Sequence, residues 1–199
     1  MSQLPSQEEI FSRYFIRWYE KEELEIRGHN DLRPDSELWG KPLMGAPDVS
    51  PLTDEGQKVI IKQIDEIYQA AKEDWPGFLK VQGEISLDWV EAFDKYLDKT
   101  NLEDILKGSD PEDFSNELVV LCCEMGAVIG NCLIQLNPSL QWLPDSPYWD
   151  SAVYDATSGL RINVFHWAIR KFSASGLGVS NKEKVLECLK SLQKSFTDK

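Results

Sequence analysis

Along Ser115–Leu136, SNELVVLCCEMGAVIGNCLIQL, the chain is apolar or small except at a few positions, of which Glu117, Glu124, Asn131 and Gln135 recur at a helical interval. At 3.6 residues per turn these four fall within about 40° of one another on a helical wheel. So narrow a polar stripe predicts a helix buried on most sides, around which other elements are wrapped. Gly126 and Gly130, one turn apart, predict a notch that admits a close backbone approach. Ser115 is the expected cap, with Glu117 in the first turn and Pro138 just past the end. The run Leu118–Leu136 approaches membrane length, but Glu124 lies inside it and its upstream flank is acidic, which argues against a span.

Upstream, Ser6 and Glu9 have the spacing of a capping box, and Ile10, Phe11, Tyr14, Phe15 and Trp18 recur at helical intervals, predicting a first helix to about Ile26. Residues 28–51 are rich in Gly, Pro and Asp and predict a long loop, with Trp39, Leu43 and Met44 available to pack it down. Thr53 or Asp54 opens a second helix with Val59, Ile60, Ile64, Ile67, Tyr68 and Ala71 on its apolar face, ending before Pro76. Ser86 caps a third bearing Trp89, Phe93, Tyr96 and Leu97, and Leu102–Leu106 reads as a short helical turn. After the central helix, Leu140–Leu143, Ala152–Ala156 and Leu160–Phe165 read as strands, with Thr157-Ser158-Gly159 as a tight turn and Gly159 suited to positive φ. His166–Phe172 begins another helix, Gly176 and Gly178 break it, and Ser180 with Glu183 caps a last one carrying Val185, Leu189, Leu192 and Phe196.

The fold class expected is α+β: N-terminal helices and a buried central helix packed with a small three-stranded antiparallel sheet, closed by C-terminal helices. The 199 residues read as one domain, with a helical, acidic region over residues 1–136, a strand-rich region over 137–175 and a terminal helix over 180–197. MSQLPSQEEIF has neither a basic start nor an apolar core, so no secretory signal and a cytoplasmic location are expected. The net charge of −13 lies wholly before residue 115: residues 1–114 hold 13 Lys+Arg and 26 Asp+Glu, and the remainder holds 8 of each. That distribution disfavours nucleic acid and anionic membranes and favours a basic protein as partner, or serves as a solvated helical surface.

Candidate chemistry is sparse. Cys122, Cys123, Cys132 and Cys188 lack a CxxC or Cys/His metal spacing and fall on apolar helices, so inert buried thiols are expected, with neither metal nor cofactor. DPEDF lacks the spacing of a calcium loop, GLGVSNKEK lacks that of a phosphate loop, and there is no GxSxG or HExxH. His166 with Asp155 and Arg161 is the one arrangement that suggests a small hydrolase-type enzyme. The aromatic and acidic segment Trp142, Pro144, Asp145, Pro147, Tyr148, Trp149 and Asp150 suggests partner binding instead. Tryptophan and tyrosine serve cores as well as interfaces, while the prolines and aspartates argue for a surface loop.

A helix bearing GAVIGN, a strand with Trp142, and a hairpin leading into INVFHWAIRKF resemble small bacterial α+β proteins classed as domains of unknown function, over residues 115–175. The resemblance implies a helix packed on a small sheet and brings no catalytic residues. A non-catalytic protein-binding module, an acidic adaptor or immunity-type protein, is the function expected. The sequence does not specify its oligomeric state.

Overall fold

Ser6 and Glu9 close the capping box reciprocally: Ser6 Oγ accepts from the Glu9 amide at 3.1 Å and a Glu9 carboxylate oxygen accepts from the Ser6 amide at 2.7 Å. In the computed structural model, which describes residues 4–21, 24, 33–40 and 50–194, this cap opens α1 (Gln7–Tyr14). The helix expected from Ser6 onward breaks after Tyr14. The chain tightens into a 3₁₀ turn at Ile16–Trp18, sending Trp18 against Phe114 (ring centroids 5.1 Å apart) and Tyr19 onto Asp150, and these distant contacts override the local pattern. The predicted continuation beyond residue 24, the packing of Leu43 and Met44, and Phe196 lie outside the described residues.

Thr53 caps α2 (Asp54–Leu79), which passes through Pro76 instead of stopping before it. Pro76 lies in the last turn, where few downstream turns depend on it, and continuation lets Trp75 and Phe78 pack on Phe93 and Tyr96 of α3 (Leu87–Tyr96). Lys80 then ends the helix in the left-handed region at φ 57°. Ser86 caps α3 as expected. The short turn predicted at Leu102–Leu106 is a longer helix, α4 (Lys99–Gly108), because Asp98 caps it by accepting from the Asn101 amide at 2.9 Å. The central helix, α5 (Glu117–Leu136), is capped by Asn116 and not by Ser115, whose amide and hydroxyl are held by Asp113.

Helix α5 packs against α2, α3, α4, α6 (Val164–Lys171) and α7 (Asn181–Lys194), and against two strands of the sheet. It is long and apolar enough to cross a membrane, but its most apolar stretch is 78% buried within the protein, the situation of a core helix. Its polar stripe faces α2: Glu124 accepts from Trp75 Nε1 at 2.8 Å, and Gln135 reaches the Tyr68 hydroxyl. The glycine notch is real, but aromatic rings fill it where backbone was expected. A Cβ on Gly126 would lie 2.3 Å from Phe165 Cδ1, and one on Gly130 2.1 Å from Trp142 Cη2.

Among the described residues the sheet has four antiparallel strands in the order β1 (Trp39–Gly40), β4 (Leu160–Ile162), β3 (Ala152–Asp155), β2 (Leu140–Leu143). The strand beyond the expected three comes from the 28–51 region, where a two-residue strand is too short to leave a periodic signal. Trp142, Val153, Ile162 and Trp39 stand in register, with Trp142 directed onto α5. Gly159 takes the positive φ expected of the turn, 69°. Strand β4 stops at Ile162 and helix α6 starts at Val164, so the predicted strand to Phe165 is shorter and the helix begins earlier. Phe165 is thereby placed against Trp142 and Tyr148.

Candidate functional site

Asp145 closes a tight local turn, its carboxylate accepting from the Ser146 amide at 2.8 Å and its own amide donating to Ser151 Oγ at 2.9 Å. The turn folds Tyr148–Asp150 inward as a 3₁₀ segment. Trp149 is 3% exposed and is surrounded by the rings of Phe15, Tyr19, Phe114 and Tyr148, with centroids 5.1 to 5.8 Å away. The Tyr148 hydroxyl donates to Cys123 Sγ at 3.2 Å. The expectation of a surface loop at 142–150 is therefore corrected. Asp145, Trp149 and Asp150 are buried and Tyr148 is half-buried, because the aspartates satisfy main-chain and side-chain donors that folding encloses. Of the five expected partner-binding residues, only Trp142 lines a described cleft.

The trio His166, Asp155 and Arg161 is not brought together as a catalytic arrangement. Asp155 is fully buried and commits its carboxylate to the hairpin turn, accepting from the Thr157 and Ser158 amides and the Ser158 hydroxyl. His166 takes other acids: Nε2 lies 3.1 Å from Asp150 Oδ1, and Nδ1 lies 3.0 Å from the Asp35 amide and 3.7 Å from Asp35 Oδ2. Tyr19 donates its hydroxyl to the same Asp150 oxygen at 2.8 Å, and Arg161 donates to the Asp150 carbonyl at 2.8 Å. Burial disfavours the imidazolium, yet hydrogen bonds and charge from Asp150 and Asp35 together outweigh it and hold the His166 pKa up at about 9. Burial alone would raise the Asp35 carboxyl, but His166 and Arg161 bring it below its ordinary value.

A second buried polar group escaped sequence reading. Lys171, 2% exposed on α6, lies 3.1 Å from Asp94, and Asp94 in turn accepts from the backbone and side-chain N–H groups of Asn181 at the start of α7, at 2.7 and 2.8 Å. Asp94 is thus the internal anion at that helix terminus. Asn181 completes the chain by accepting from Trp167 Nε1 at 2.8 Å. A carboxylate that caps a helix far along the sequence leaves no local spacing by which to find it. Among the described residues, no group of three or more His, Cys, Asp and Glu side chains is placed to hold a metal ion.

A groove of ≈ 630 Å³ lies along β2. All four residues Leu140–Leu143 line it, together with Pro144. Successive strand residues point to opposite faces, so a cavity touching all of them reaches the edge of the strand, and through Tyr154, the register partner of Gln141, it also extends over that face of the sheet. The facing wall is α2, through Gln57 and Ile61 one turn apart; Ile134 of α5, Tyr154 of β3 and Ser50, whose hydroxyl donates to the Pro144 carbonyl at 2.6 Å, complete the lining. Ile61 is 41% exposed, although the sequence assigned the apolar face of α2 to other positions; Val59, which it did assign there, is 50% exposed. Among the described residues β2 is an edge strand, with β3 on one side only. Edge strands offer unpaired main-chain donors and acceptors, and here they lie beside apolar side chains. No protein-family model, no curated protein and no solved structure matches this chain, so its own geometry carries the functional reading.

Proposed function

We propose that this protein is a non-catalytic, cytoplasmic protein-binding module that takes an extended segment of a basic partner along the open edge of β2. The carrying observation is the ≈ 630 Å³ groove, in which a strand edge that is unpaired among the described residues and the apolar side chains of Trp142, Ile61 and Ile134 line one space. A segment laid there gains main-chain hydrogen bonds from β2, and its alternate side chains enter the apolar lining. Residues 50–114, which form α2, α3 and α4, hold 7 Lys and 16 Asp+Glu. Most of those carboxylates are exposed, and this field speeds the arrival of a positively charged partner. An adaptor or immunity-type role fits that chemistry.

A photoreactive side chain at position 61 in the native host identifies the partner, and purified components then give its affinity. Ile61→Asp is expected to weaken binding at least tenfold, the scale of an interface anchor losing over 1 kcal/mol, without lowering the unfolding midpoint. Unchanged affinity in Ile61→Asp would overturn the assignment of the groove.

A further inference from the structure

Residues 33–40 form a strap fastened mainly to α6. Gln7 Nε2 donates at 2.9 Å to both the Asp35 and the His166 carbonyls. Arg170 donates to the Ser36 carbonyl and the Asn163 amide to the Leu38 carbonyl, after which Trp39 and Gly40 pair with β4. His166 lies at the centre of this fastening, its ring enclosed by Phe11 on one side and flanked by two carboxylates from different elements. Among the described residues the charged and titratable groups facing it are Asp35 on the strap and Asp150 in the 3₁₀ turn, with Arg161 of β4 and Tyr19 after α1 attached to that pair.

Nδ1 of His166 faces two groups of Asp35 that demand opposite proton states. The amide N–H, at 3.0 Å, donates to a bare nitrogen, whereas the carboxylate, at 3.7 Å, requires a protonated one. As the ring titrates, it must exchange one Asp35 group for the other. We propose that His166 is a proton-controlled latch: as the imidazolium it is clamped between Asp150 and Asp35 and fastens the 33–40 strap, and on losing its proton it keeps only a neutral amide contact to the strap. The 3.0 Å amide bond is the contact a neutral ring makes; protonation exchanges it for the Asp35 carboxylate, 3.7 Å away and free to close as a charge-assisted hydrogen bond about twice as strong as a neutral one, so the cationic state is the more tightly fastened one. Because the fastened ring has its pKa raised to about 9 from 6.5, the fastening is fully present below pH 6.5 and is lost as pH rises through about 9. The strap leads straight into the two-residue β1, which pairs with β4, so loosening it is expected to loosen that pairing as well.

The test combines ¹⁵N shifts of His166 with amide protection factors for residues 35–40, corrected for intrinsic exchange, from pH 6 to 10. His166 is expected to be doubly protonated at pH 7, and strap protection to fall about tenfold or more with the same midpoint, near 9, while α5 stays protected. Asp35→Asn, at a side chain 29% exposed and therefore tolerant of change, is expected to move both midpoints down together. Strap protection that stays flat while His166 titrates, or an Asp35→Asn variant in which neither midpoint moves, would overturn the latch.

Discussion

A methyl group added at Gly126 meets a ring that is itself enclosed, since Phe165 is 1% exposed. At Gly130 the opposing ring is Trp142, half-buried at the groove and able to swing outward. Alanine gains about 1 kcal/mol of helix propensity over glycine, against an overpacking cost of about 1–3 kcal/mol. Gly126→Ala is therefore expected to lose about 1–2 kcal/mol in urea unfolding, and Gly130→Ala less; equal midpoints for both and wild type would contradict the packing described. Glu124 gives a pH signature. Burial first, with the nearby Asp74 charge, raises its carboxyl to about 7 despite the Trp75 hydrogen bond. The folded state thus binds the proton more tightly than the unfolded chain, and stability present below pH 4.5 is lost as pH rises through about 7. Glu124→Gln, which keeps an acceptor for Trp75, is expected to flatten that slope and to be about 1–3 kcal/mol more stable than wild type at pH 8. Trp149→Ala, by contrast, belongs to the core and is expected to cost about 3–5 kcal/mol of stability.

At the scale of elements, what was legible in the sequence followed local chemistry. Capping residues Ser6, Thr53, Ser86 and Ser180 and the central helix with its polar stripe could be read because each leaves a signal within a few residues. What was lost depended on distant partners: the end of α1 is set by Phe114 and Asp150, the passage of α2 through Pro76 by α3, and β1 by a strand more than a hundred residues away. The exposure expected of the 142–150 segment was lost for the same reason. Asp145 and Asp150 read as solvent-seeking, yet the Ser146 amide, Tyr19 and His166 supply partners that offset the cost of burying their carboxylates. The reading of inert thiols can be tested directly. All four cysteines are free and buried, and burial pushes Cys123, Cys132 and Cys188 up to about 12 and Cys122 well above its ordinary value. Native protein is expected to label with a thiol reagent only as fast as it opens, and denaturant to release all four; fast native labelling at Cys132, beside the small cleft at Leu87 and Leu136, would contradict this.

For the whole molecule, charge and groove act at different ranges. The −13 net charge works over a Debye length, about 10 Å at 0.1 M salt, so added salt should slow association with a basic partner while leaving dissociation nearly unchanged. In the proposed binding mode the groove works by contact and is expected to set the dissociation rate. Salt-dependent dissociation with salt-independent association would reverse these roles. The central claim is that a partner segment lies against the edge of β2, and the most direct measurement is residue-resolved amide exchange of this protein with and without the partner captured at position 61. Pairing along the edge predicts new protection at alternate amides within Leu140–Leu143, with those of α4 unchanged. Protection confined to the acidic faces of α2, α3 and α4, with the β2 amides exchanging as in the free protein, would contradict it.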